Sequence, residues 1–228
     1  MANFRDLEET ERIKQAVMLS CARLFLTKGY SNTSVKEIAA GADIHVSKLM
    51  HIFGSKEEML CCLVEFVFKE QIGVTKRMLD GKSDDGLLVY AAETTLQLYM
   101  AESDENIRDL YSAAYSMPKS AELIQTSVAV WIEQLLKEYM PGLTTKDFYE
   151  LEIASGSIMR GFMMKPCNMY FTIEHKVDLF IDSVLRLYRI PEENIQQAKQ
   201  FVRRFDYKKT AQSAIETMLT KLENIETV

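Results

Sequence analysis

A chain of 228 residues, 47% of them hydrophobic, buries a substantial core without staples, and 9 Gly and 4 Pro over that length leave few turns and long helices. The net charge of −6 excludes a uniformly basic nucleic-acid binder, and the four cysteines and three histidines have no metal-ligand spacing. No apolar run reaches the roughly 18 residues that span a bilayer, so no membrane is expected. The charged start MANFRDLEETERIK does not read as a secretory signal, so a cytoplasmic chain is expected.

Charge is unevenly spread. Residues 1–56 hold eight Lys/Arg and six Asp/Glu, a net of +2, and the remainder carries −8. A mildly basic head on an acidic body is compatible with local phosphate contact.

The first predicted helix shows Ile13, Val17, Cys21 and Leu24 at helical spacing, widened by Ala16 and Phe25, and ends at Gly29. A second opens at Ser34, where Ser34-x-x-Glu37 is a capping box, and runs to about Ala42. Asp43 sits at the turn, where an aspartate tolerates left-handed backbone. A helix barely two turns long follows, from about His45 to Ile52. Ser55-x-x-Glu58 is a second capping box, opening a long fourth helix to about Leu79.

Beyond it, apolar periodicity continues over roughly 84–102, 104–116, 119–139, 145–164, 173–189, 192–205 and 208–223, with Pro118, Pro141, Pro166 and Pro191 at or near the boundaries. No strand alternation and no fixed repeat interrupt this pattern. The expected fold is all-α, about ten helices, with a head at 1–56 and a ligand-binding and dimerisation body at 57–228.

Helix, turn and short helix is the layout of a helix-turn-helix, whose second helix enters the major groove. Ile38, Ala39, Ile44, Leu49 and Phe53 are expected inward. That leaves Val46, Ser47, Lys48, Met50 and His51 for the groove, with His45 at the turn. Lys48 suits phosphate or a guanine edge, and Ser47 and His51 offer polar contacts. An ordinary helical hairpin with a solvated face fits the pattern alone equally well.

From Ile13 to Leu60 the segment resembles the N-terminal domain of the tetracycline-repressor (TetR) family of bacterial transcription regulators. The resemblance rests on ARLFLTKGYSNTSVKEIA and L..IF.SKEEML, with Gly29, Tyr30, Thr33, Ser34, Ile38, Ala39, Leu49, Phe53 and Ser55-Lys56-Glu57 in place without a gap. It implies backbone-phosphate contacts at Thr33, Ser34 and Lys56, an arrangement that free N–H groups at a helix start favour. The chain departs from the family's usual Gly-Val-Ser turn with Asp43-Ile44-His45. It also has Ser47-Lys48 for Gly-Thr, and Met50 and Ile52 where aromatic residues are common.

In the body, Val177, Phe180, Ile181, Val184, Leu185 and Tyr188 form one apolar stripe. Phe148, Leu151, Ile158 and Phe162 form another, beside the small residues Ala154, Ser155, Ser157 and Gly161. The family resemblance implies a homodimer seam through about 146–189; an internal core fits the same periodicity. Tyr90, Tyr99, Tyr111, Tyr115, Trp131, Met159, Met163 and Met164 suit a hydrophobic small-molecule site, with Arg160 as an anchor for an anionic ligand or as an ordinary surface pair.

The resulting expectation is a ligand-responsive regulator of the repressor type, reading a palindromic double-stranded DNA operator as a homodimer. It requires no cofactor and no metal. The alternative is a relative whose altered short helix docks a partner protein. No catalytic constellation appears, so no enzyme is expected.

Overall fold

A computed structural model describes residues 4–225, which form eleven helices and no strand. The head consists of α1 (Phe4–Lys28), α2 (Val35–Gly41) and α3 (Val46–Phe53), and α4 (Lys56–Leu79) leads into the body. The body comprises α5 (Gly86–Ser103), α6 (Glu105–Ala114), α7 (Pro118–Leu136), α8 (Thr145–Met164), α9 (Ile173–Leu187), α10 (Glu192–Val202) and α11 (Tyr207–Ile225).

The head core forms where α1 buries Ile13, Val17, Cys21 and Phe25 against Ile38, Ala39, Leu49 and Phe53. Met59, Leu60 and Leu63 of α4 complete it, together with Leu222 from α11. Ser34 and Glu37 make the reciprocal capping box expected of them. At α4 only half of the expected box forms: Ser55 accepts from the Glu58 N–H, but the Glu58 carboxylate pairs with Lys119. Glu57 accepts from the Lys119 backbone N–H at 2.6 Å, so the starts of α4 and α7 are tied together instead.

Helix α5 is the central element of the body. It is buried on every side, including Glu93, Thr94, Thr95 and Gln97, because α4, α7, α10 and α11 surround it. Helices α10 and α11 close the outside, and α11 reaches back to the head through Arg23–Glu223 at 2.9 Å and to α4 through Lys221–Glu70 at 2.5 Å. The α8–α9 connection is anchored by the buried Lys176 ammonium, 2.6 Å from both Glu102 Oε2 and the Lys165 carbonyl.

The α9 stripe expected at a dimer seam is internal core. Val177, Phe180, Ile181, Val184, Leu185 and Tyr188 are each at most 4% exposed within the single chain, packed with α5, α8 and α10. The exposed faces of this helix pair carry other residues: Ile153, Ser157, Gly161 and Met164 on α8, and His175, Leu179, Ser183 and Arg186 on α9. Spacings of four and three along each helix align these into two neighbouring stripes, with small residues permitting close approach.

Candidate nucleic-acid interface and cavity

The turn between α2 and α3 depends on Asp43, which adopts φ 51°, and on the Ile44 N–H, which donates to the Ala39 carbonyl at 3.0 Å. This places α3 across α2 with Leu49 and Phe53 buried and Ile44 and Ile52 half-buried. The rest of α3 faces out: Val46, Ser47, Lys48, Met50 and His51 are exposed, as is the N-cap His45. A helix of eight residues therefore keeps two anchors inside and presents five consecutive-turn side chains outward.

Lys48 is not free. Its ammonium lies 2.6 Å from Glu9 Oε1 on α1, and this pairing holds the Glu9 carboxyl below its ordinary value. Both partners are solvent-exposed, so the pair is exchangeable with another anion.

The expected phosphate contacts differ among themselves. Thr33 is buried, its hydroxyl donating to the Gly29 carbonyl at 2.7 Å and its N–H to the Tyr30 carbonyl at 3.2 Å. Its side chain holds the corner rather than facing outward. Ser34 is exposed, but its hydroxyl and N–H both donate to Glu37 Oε2 at 2.8 Å. Glu37 also pairs with Lys28, and these contacts hold its carboxyl down to about 2, the Lys28 hydrogen bond first. Lys56 donates to the Tyr30 carbonyl at 2.5 Å with its ammonium 3.9 Å from that ring's centre. Partial burial pushes its pKa down, and its principal partner is the α1–α2 corner. Lys56→Ala should therefore lower head stability by about 1 kcal/mol, read as an earlier denaturation midpoint, beyond any change in DNA affinity.

The body grips the same corner. Asp109 of α6 accepts from the Ser31 N–H at 2.8 Å and the Ser31 hydroxyl at 2.6 Å. Gly29, at φ +80°, makes room for it: a Cβ there would stand 2.8 Å from Asp109 Oδ2. This contact is not legible in sequence, because a separation of 78 positions between Ser31 and Asp109 gives no local signal.

Behind α6 lies a cavity of about 100 Å³, walled by apolar side chains of α1, α4, α6, α7 and α11, with Tyr111 and Tyr115 in its lining. A second chamber of about 20 Å³ shares Phe68, Gln97, Tyr115 and Val128 with it and adds Tyr90, Trp131 and Met159. Five of the nine expected ligand residues thus line the two chambers. Arg160, Met163 and Met164 do not: Arg160 Nε donates to the Ser116 hydroxyl at 2.6 Å, Met163 is fully packed in the core, and Met164 is exposed. Tyr99 instead stacks on Tyr207 with ring centres 5.5 Å apart.

Sequence reasoning missed Glu93 and Glu152, both of which line the smaller chamber. The available signal was that α5 has no polar face, so a glutamate in its middle has nowhere to go but inward.

Comparison with known proteins assigns the head. Residues 20–61 match the family described as bacterial regulatory proteins, tetR family. The head is similar to the TetR-family N-terminal domain. Three solved structures share the all-helical fold. RolR, solved with the ligand resorcinol, superposes with a TM-score of 0.66 at 16% identity over 87% of this chain and 97% of that one. A TetR-family transcriptional regulator from Pectobacterium atrosepticum gives 0.51 at 18% identity, over 80% and 93% of the two chains. SmeT, repressor of the Stenotrophomonas maltophilia multidrug efflux pump SmeDEF, gives 0.52 at 15% identity, over 79% and 92%. No curated protein matches the chain. Among the described residues no helix is long and apolar enough to cross a membrane.

Proposed function

We propose that the chain is a ligand-responsive transcriptional regulator of the repressor type, whose residues 1–56 read a two-fold symmetric operator and whose residues 57–228 bind an effector and dimerise. The observation that carries this reading is the outward face of α3, where Val46, Ser47, Lys48, Met50 and His51 stand clear above buried Leu49 and Phe53. Ser47, Lys48 and His51 supply donors for phosphate and base edges, and Val46 and Met50 suit a thymine methyl group.

The route from effector to DNA is supported by the position of α6. It lines the larger cavity through Ile107, Leu110, Tyr111 and Ala114 and holds the head through Asp109. A ligand that displaces α6 by a fraction of an ångström moves the α1–α2 corner with it. Helix α4 lines the same cavity through Leu60, Leu63, Val64 and Val67 and continues into the head core. Effector and operator then oppose one another by linkage, each favouring a different spacing of the two heads.

The homodimer we propose forms through the exposed α8 and α9 stripes, centred on Ile153, Met164 and Leu179. Leu179→Glu would place a charge against its own copy near the two-fold axis. Light scattering should show a wild-type dimer and folded Leu179→Glu monomers; a variant that remains dimeric at micromolar concentration removes this seam.

The α3 reading is tested by titrating variants onto a palindrome flanking the protein's own gene. Glu9→Gln should release Lys48 and tighten binding roughly two- to fivefold, with a salt slope steeper by up to about one per half-site. Lys48→Ala should relax specificity at one operator position by about 1–3 kcal/mol. Met50→Tyr should add one neutral hydrogen bond to phosphate, about 0.5–1.5 kcal/mol, with the salt slope unchanged. Variants that leave affinity, specificity and slope untouched would show that α3 does not lie on the DNA.

A further inference from the structure

The smaller chamber has a chemistry that the apolar cavity beside it lacks. Glu93 and Glu152 are 1% and 4% exposed, and no Lys, Arg or His lines either chamber. Glu93 Oε1 accepts from Gln97 Nε2 at 3.0 Å, and Glu152 Oε2 accepts from the Ser155 hydroxyl at 2.7 Å. Their other oxygens have no hydrogen-bond partner among the described residues. Burying two acids without a cation is costly, and proteins rarely do it without a use.

The surroundings are aromatic. Trp131 has ring centres of Phe68 and Tyr90 6.1 and 6.2 Å from its own, and Tyr115 reaches Gln97 Oε1 through its hydroxyl at 3.2 Å. Carboxylates set among aromatic rings favour a cation over a neutral polar group or an anion. The volume of about 20 Å³ admits one water-sized group, the size of an ammonium head. Beyond the shared wall of Phe68, Gln97, Tyr115 and Val128 lie about 100 Å³ lined almost wholly by carbon.

We propose that Glu93 and Glu152, with Tyr90, Tyr115 and Trp131, bind the ammonium group of an amphiphilic organic amine whose apolar body occupies the larger cavity between α4, α6 and α11. This deepens the effector-binding reading above and rests on it. The ammonium takes the two open carboxylate oxygens, and the tail presses on α6 and α11. Burial raises both carboxyls to about 8 in the empty protein. The remaining titratable groups facing them are the phenols of Tyr90, Tyr111, Tyr115 and Tyr188, all held above their ordinary value, again chiefly by burial. Near pH 7 the arriving ammonium therefore displaces a carboxyl proton to solvent.

The test compares 4-phenylbutylamine, 4-phenylbutan-1-ol and 4-phenylbutyrate by calorimetry on the full chain without DNA. The amine should bind roughly tenfold or more tighter than the alcohol, and the butyrate more weakly still. Repeating the amine titration near pH 7 in two buffers of different ionisation enthalpy should show release of up to about one proton. Glu152→Gln and Glu93→Gln, with folding checked by circular dichroism, should each lose most of the amine's advantage while retaining the alcohol. An alcohol that binds as well as the amine, an amine that binds both variants unchanged, or no binding of any of the three at millimolar concentration overturns the proposal. Operator binding is read separately. Its absence beside an intact amine preference removes the regulator reading and leaves the site standing.

Discussion

Gly86→Ala should be the most destabilising single-methyl change in the body, lowering stability by roughly 3–5 kcal/mol. Gly86 opens α5 directly after its cap Asp85, whose carboxylate accepts from the Leu87 and Leu88 N–H groups and from the Tyr139 hydroxyl. A Cβ at Gly86 would lie 1.9 Å from the Leu135 carbonyl oxygen and 2.7 Å from its carbon. Both are backbone atoms at the end of α7, so no rotamer change relieves the collision. To admit the methyl group, α7 must move off α5, and α7 carries Val128 and Trp131 of the chamber walls. The control is Gly73→Ala in α4, where the nearest atom is the flexible end of Arg77 at 3.4 Å. That substitution should stabilise by about 0.5–1 kcal/mol, as expected for a glycine inside a helix. Urea denaturation of the two variants beside the wild type checks both signs. A Gly86→Ala midpoint indistinguishable from wild type would mean that α5 and α7 do not pack this closely.

Glu152→Gln should stabilise the protein, and by more as pH rises. Burial pushes the Glu152 and Glu93 carboxyls from the ordinary 4.5 up to about 8, with no cation to offset it. Between those values the folded chain retains protons that the unfolded chain releases, so stability falls as pH rises through about 4.5 to 8. A glutamine at 152 carries no charge in either state and removes its share of that slope. The variant should match wild type near pH 5 and exceed it by on the order of 2–4 kcal/mol at pH 9, or roughly 5–10 °C in melting temperature. Glu37, held down to about 2, acts in the opposite sense: its contribution is present above 4.5 and is lost only as pH falls towards 2. It leaves the alkaline window unaffected. Parallel melting curves for wild type and variant across pH 5 to 9 would show that Glu152 is solvated rather than buried.

Much of this architecture is legible in the sequence because its signals are local. The predicted run 145–164 is α8 to the residue, and the predicted opening of α4 at Ser55 is its N-cap. The inward residues of the helix-turn-helix follow from spacing alone, since Leu49 and Phe53 lie four apart on one face of a helix too short to bury more. What periodicity does not carry is the identity of the partner surface. The α9 stripe correctly marks a buried face, but α5, α8 and α10 cover that face and leave it no second copy to meet. The same limit applies to Lys48 and Lys56. Spacing marks both as candidates for an anion, yet Glu9 and the Tyr30 carbonyl, from distant parts of the head, engage them in the folded chain. Arg160 stands out in the sequence because it interrupts an apolar run. Its helix position instead turns it towards Ser116, away from both chambers. Glu152 is not legible for the opposite reason: it sits on α8, which has an exposed face where a solvated carboxylate would also fit, and only the assembled body removes the water.

The central claim is that the TetR-like head reads DNA for this chain, and its most direct test is a titration of the full-length protein against the palindrome nearest its gene. The competitor is a scrambled duplex of equal length, at roughly physiological salt. The account predicts two chains per palindrome and binding on the order of 10³-fold or more tighter than to the scrambled duplex. Equal affinity for the two duplexes, falling together as salt rises and vanishing at physiological ionic strength, would contradict it. The exposed face of α3 would then belong to a partner protein rather than to the major groove.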